Sequence, residues 1–194
     1  MRNQLFIFLT LLSFTLYNCT NKSTSSDQSK EDTPGKAFYP VGNYIRSQLV
    51  YIDSMPLAVI KYTTIHSTTD TSIIEKNDFK HIAAAFITPD ISLPEYKTQY
   101  DEHSFIDATL GTITLAYTAN NETLSVRKAD ILLDQEDTKV KTIYIEKNIP
   151  GTDSSVIKKM LWTANRNCQI ITLVQKKGQP EDIILERYVW DDRH

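Results

Sequence analysis

Two stretches place apolar residues at helical spacing, and most of the remaining chain places them at strand spacing. Between residues 43 and 54, Ile45, Leu49 and Ile52 share one face of a helix. Asn43 offers a capping oxygen at its start, and Pro56 stops it. Between 77 and 86, Phe79, Ile82, Ala83 and Phe86 follow the i, i+3, i+4, i+7 rule, with Asn77 or Asp78 as the cap and Pro89 beyond the end. Residues 57–64 are rich in β-branched and aromatic side chains and predict a strand. The polar, Thr-rich stretch 63–72 reads as either strand edge or loop, and 89–99 as a connector with a helical turn after Pro94.

From residue 100 the pattern becomes strands separated by short polar turns. The runs are 100–109, 111–118, 123–133, 139–147, 155–163, 167–176 and 181–190. Separators this short join antiparallel neighbours, because parallel pairing needs long crossovers. The expected architecture is therefore an α+β domain, with two N-terminal helices packed on a curved antiparallel meander of about seven to eight strands. One strand alternates cleanly, with Ile113, Leu115 and Tyr117 opposite Thr112, Thr114 and Thr118. Others are apolar on both sides: Ile183, Leu185 and Val189 oppose Ile184, Tyr188 and Trp190, and Met160 and Trp162 oppose Ile157 and Leu161. Such a sheet either curves strongly beneath its helices or forms a half-open barrel whose concave face holds an apolar ligand.

The N-terminal segment follows a different logic. Residues 1–4 carry one positive charge, and the uncharged apolar run 5–16 is too short to span a bilayer but has signal-peptide length. Leu16-Tyr17-Asn18-Cys19 then resembles the lipobox of bacterial lipoproteins, in the relaxed form found in Bacteroidota-type envelopes. The resemblance implies cleavage after residue 18 and acylation of Cys19; an ordinary signal peptide with an incidental cysteine is the alternative. Residues 20–36 contain no large apolar side chain and read as a tether. The expected organisation is a signal peptide (1–18), a lipidated Cys19 with its tether (19–36), and a single α+β domain (37–194). The resemblance to small uncharacterised lipoproteins of those bacteria rests on residues 1–36, and it implies an outer-membrane anchor facing the periplasm.

Composition excludes more than it assigns. A net charge of -3 argues against nucleic acid as a partner. The total conceals a gradient: residues 139–177 hold eight basic residues against two acids, and 78–137 hold eleven acids against four bases. Lys139, Lys141, Lys147, Lys158 and Lys159 form a candidate basic surface for anionic lipid or an acidic partner, with the first three expected on one strand face. The other cysteine, Cys168, reads as a buried strand residue.

No cofactor or metal site is expected, since the histidines lack ligand spacing and no phosphate-loop or nucleophile motif occurs. The densest chemical cluster is Asp101-Glu102-His103 with Asp107, in which Asp101, His103 and Asp107 would share a strand face. Two functional classes follow. One is a membrane-tethered binding or assembly module for an apolar or anionic lipid or an envelope protein. The other is a small periplasmic hydrolase using the Asp101/Glu102/His103/Asp107 group.

Overall fold

The computed structural model describes residues 37–192; the expected signal peptide, Cys19 and the expected tether lie outside the described residues. The described residues fall within one compact unit. The order is α1 (Val41–Ser54), β1 (Val59–Ile65), β2 (Thr68–Ile74), α2 (Lys76–Ala83), β3 (Tyr100–Asp107), β4 (Thr112–Ala119), β5 (Val126–Asp134), β6 (Val140–Pro150), β7 (Ser154–Thr163), β8 (Asn167–Lys176) and β9 (Asp182–Val189). All nine strands join one sheet in the order β2-β1-β9-β8-β7-β6-β5-β4-β3, antiparallel throughout.

This corrects the expected architecture of two N-terminal helices on seven to eight strands. The described residues form nine strands, and a β-hairpin separates the two short helices. The additional strand is β2, which lies in the Thr-rich stretch and beyond it. His66 and Ser67 both take positive φ, 46° and 70°, forming a two-residue turn that folds β2 back on β1. Six of the seven β2 residues are exposed, so no apolar alternation marks it. Threonine's branched Cβ and pairing along the whole of β1 stabilise it instead.

The helix ends also differ from the sequence reading. Pro40 precedes α1, and no side chain caps it; Asn43 lies inside the first turn, where its Oδ1 accepts from Arg46 Nη1 at 2.8 Å. α2 ends at Ala83 and tightens into a 3-10 turn over Ala84–Phe86, carrying Phe86 into the core.

Both helices lie on the same face of the sheet. Every strand contributes to one continuous core, from Tyr100 on β3 through Tyr117, Ile131, Ile143, Met160, Cys168 and Tyr188 to Val59 on β1 and Ile74 on β2. Nine flat strands would span about 40 Å, whereas two helices side by side cover only about half that width. A single core can therefore form only if the sheet wraps around the helices. Phe79 of α2 is the main plug. Its ring centroid lies 6.1 Å from Trp162, 5.7 Å from Tyr188 and 5.5 Å from Trp190. Full burial of an aromatic side chain of this size contributes about 1.5–3 kcal/mol.

α1 is held by a polar clamp. The Gln48 side chain accepts from the Asn165 backbone N–H at 2.8 Å and donates to Asn165 Oδ1 at 2.8 Å. Its Oε1 also lies 3.4 Å from Trp162 Nε1. Asn165 sits at positive φ in the β7–β8 turn, so one buried amide joins the helix to that turn.

Candidate functional site

The five lysines of the expected basic surface do not share a surface. Lys139 pairs with Asp137 at 2.6 Å in the β5–β6 turn, and Lys141 pairs with Asp134 at 2.9 Å. These ammonium groups hold the Asp134 and Asp137 carboxyls below the usual carboxylate range. The cause of the split is a β-bulge. Leu133 opposes Val140 but Leu132 opposes Thr142, so Lys141 is an extra residue that shifts the alternation along β6. Val140 and Ile143, three apart, are both buried. Lys147 consequently points under the helices, opposite Lys158 of β7, while Lys159 opposes Glu146 on the other face.

The acidic and histidine cluster is also divided. Strand alternation puts Glu102 opposite Tyr117 on the helix-covered face, 3.3 Å from its hydroxyl, and puts Asp101 and His103 on the outer face. Asp107 Oδ1 accepts the backbone N–H groups of Thr109 and Leu110 in the following turn. The structure does not bring these four residues together around one reacting position. Among the described residues, no group of three or more His, Cys, Asp or Glu side chains is placed to hold a metal ion. Cys168 is fully buried, and burial followed by the Glu186 charge pushes its thiol well above the ordinary range.

A different constellation forms where α2 meets β1, β9, β8 and β7. Lys61, His81, Ile82, Ala85, Lys158, Ile170, Glu186 and Tyr188 line a crevice of about 300 Å³. Lys61 Nζ lies 2.6 Å from Glu186 Oε1 and 5.7 Å from the centroid of the Tyr188 ring. The Tyr188 hydroxyl bonds to Glu186, and burial and that carboxylate together push the phenol far up. Next to Lys158, the Lys147 ammonium donates to the carbonyl oxygens of Ala85 and Thr88, fastening the end of the α2 segment to the sheet. Burial, reinforced by the Lys158 charge, brings the Lys147 pKa down to about 8.

Strand pairing shows how the crevice continues. On the covered face, rows of directly opposed residues run across the strands. The row Ile143, Trp162, Cys168, Tyr188 and Lys61 lies deepest and is mostly buried. The row Lys147, Lys158, Thr172, Ile184 and Ile65 lies four positions further along each strand, with Ile145, Met160, Ile170, Glu186 and Thr63 between the two. Beyond it come Ile149, Val156 and Val174. In these outer rows burial falls away: Ile65 is 39% exposed, Ile149 44%, and Val156, Val174 and Ile184 are half-buried. The covered face thus outruns its helices and ends in an apolar shelf beside paired lysines.

Sequence reasoning named Lys147 and Lys158 for a different surface, and passed over Lys61, His81, Glu186 and Tyr188. These lie far apart in sequence and are united only by the closure of β9 onto β1. The available signal was the two-sided apolar pattern of 183–190, interrupted on the inner side by a single charged residue, Glu186.

No protein-family model matches this chain, and no curated protein or solved structure matches it. No helix among the described residues is long and apolar enough to cross a membrane.

Proposed function

We propose that this chain is a lipid-anchored protein of a bacterial envelope, held on the outer membrane and facing the periplasm. Its domain serves as a binding or assembly module for a lipid or an envelope partner. The anchor rests on the lipobox-like Leu16-Tyr17-Asn18-Cys19 and the polar stretch that follows it. The binding role rests on one observation: the apolar shelf of Ile65, Ile149, Val156, Val174 and Ile184 beyond the helices. Wall residues of a filled core are closed over by neighbours, whereas these stay half-buried or exposed on the covered face. An apolar wall with a few convergent polar groups is the general form of a small-ligand site.

Native mass spectrometry of the protein purified from membranes tests the binding role. A bound lipid or a stoichiometric partner is the expected outcome, and a bare chain under gentle extraction counts against the proposal. The anchor has its own test, metabolic labelling with a fatty-acid probe. Label should enter the wild type and be lost in Cys19→Ala; label retained by the variant removes the lipobox reading.

A further inference from the structure

We infer that the crevice between α2 and the sheet is the head-group site for a single-chain lipid with an anionic head, whose acyl chain lies along the apolar shelf. This rests on the binding role proposed above and specifies its ligand. Charge balance selects the sign of the head. Lys61 and Lys158 line the crevice, with Lys147 directly opposite Lys158, and its one carboxylate, Glu186, already serves Lys61 and the Tyr188 hydroxyl. Lys147 is turned to the Ala85 and Thr88 carbonyls. Lys158 and His81 line the same space and, among the described residues, make neither a hydrogen bond nor an ion pair.

Two ammonium groups directly opposite each other on neighbouring strands repel, and an anion placed beside them removes that repulsion. A carboxylate or phosphate is a strong acceptor for a lysine in such a site.

Geometry selects the tail. From Lys158 the row continues through Thr172 and Ile184 to Ile65, a crossing of about 14 Å at ordinary strand spacing. Val156, Val174 and Ile149 flank it. Beyond Lys158 this row carries no charge; the carboxylates that flank it, Glu186 and Asp182, are engaged with Lys61 and His66. The crevice of about 300 Å³ is at the lower end of the range for small-ligand sites, roughly 300–1,000 Å³, which suits a compact head group, and the single apolar row leading from Lys158 suits one chain.

The test is equilibrium binding of radiolabelled palmitate and radiolabelled hexadecanol to the purified full-length protein. These probes share a tail and differ in the head. Lys158→Met should weaken palmitate about tenfold, the value of one charge-assisted hydrogen bond, and leave hexadecanol unchanged. Lys158→Gln, which keeps a donor without the charge, should fall between. Lys159→Met, one residue away on the opposite face, should alter neither. Lys158→Met retains the length of the side chain and relieves the repulsion with Lys147, so circular dichroism should show an intact fold. Equal palmitate affinity in wild type and Lys158→Met would overturn the anionic head-group site while leaving the apolar reading intact through hexadecanol binding. Binding of neither probe would overturn both.

Discussion

Raising the pH from about 7 to about 10 should stabilise the native fold through Lys147, against the usual trend of alkaline destabilisation. An unfolded lysine titrates near 10.4, while burial beside Lys158 brings Lys147 to about 8 in the folded chain. Between those values the unfolded state binds more protons than the native state, so stability rises with pH across that window. With about 1.4 kcal/mol per pKa unit, the gain over this pH range is about 2.5 kcal/mol. The two carbonyl bonds do not oppose the change, because a neutral amine keeps two N–H donors, one each for Ala85 and Thr88. Lys158 on β7 faces Lys147 directly, and His81 on α2 and the Lys61–Glu186 pair on β1 and β9 line the adjoining crevice.

Above about pH 10 the tyrosines act the other way. Burial pushes Tyr44, Tyr100, Tyr117 and Tyr144 up to about 12, so unfolded tyrosines ionise first and draw the equilibrium toward the unfolded state. The useful window is therefore about pH 8 to 10. Urea unfolding at fixed pH steps, wild type against Lys147→Met, isolates the lysine. Across pH 8 to 10 the stability difference between the two proteins should shift by about 2 kcal/mol toward the wild type. Parallel curves across the window would refute a buried, proton-poor Lys147.

Two further perturbations test the packing. Gln48→Leu fills the same volume but strips partners from the Asn165 N–H and the Trp162 indole N–H, so urea unfolding should show a loss of about 1–3 kcal/mol; a change under about 0.5 kcal/mol would mean the clamp contributes little. Cys168 should resist alkylation by iodoacetamide in native buffer and react fully in denaturant, since its thiol is enclosed; rapid labelling of the native chain would contradict the burial.

Much of the local structure was written in the spacing of apolar residues. Ile113, Leu115 and Tyr117 mark β4 directly, and Phe79, Ile82, Ala83 and Phe86 mark the α2 segment, including its 3-10 end. β2 was illegible because an exposed edge strand has no buried face to impose alternation; its turn depends on His66 and Ser67 at positive φ, residues that carry no glycine signal. The lysine surface failed for a related reason. Counting by twos from Lys139 and Lys141 to Lys147 assumes an unbroken strand, and the bulge at Lys141 breaks the count. Separation of Glu102 from Asp101 and His103 follows from strand alternation alone and was legible in the sequence. The crevice was not, because it depends on which distant strands become neighbours.

Among the described residues, the two outermost strands, β2 and β3, have no strand partner on one side. An unpaired strand edge invites a second chain to add to it, and the exposed Phe105 and Ile106 on β3 would ease such an approach. β3 also carries Asp101, Glu102, His103 and Asp107 along that edge. Two such edges meeting would bring carboxylates face to face, at a cost that rises as water is squeezed out. The cluster that looked like a set of catalytic groups thereby opposes edge-to-edge pairing of two copies.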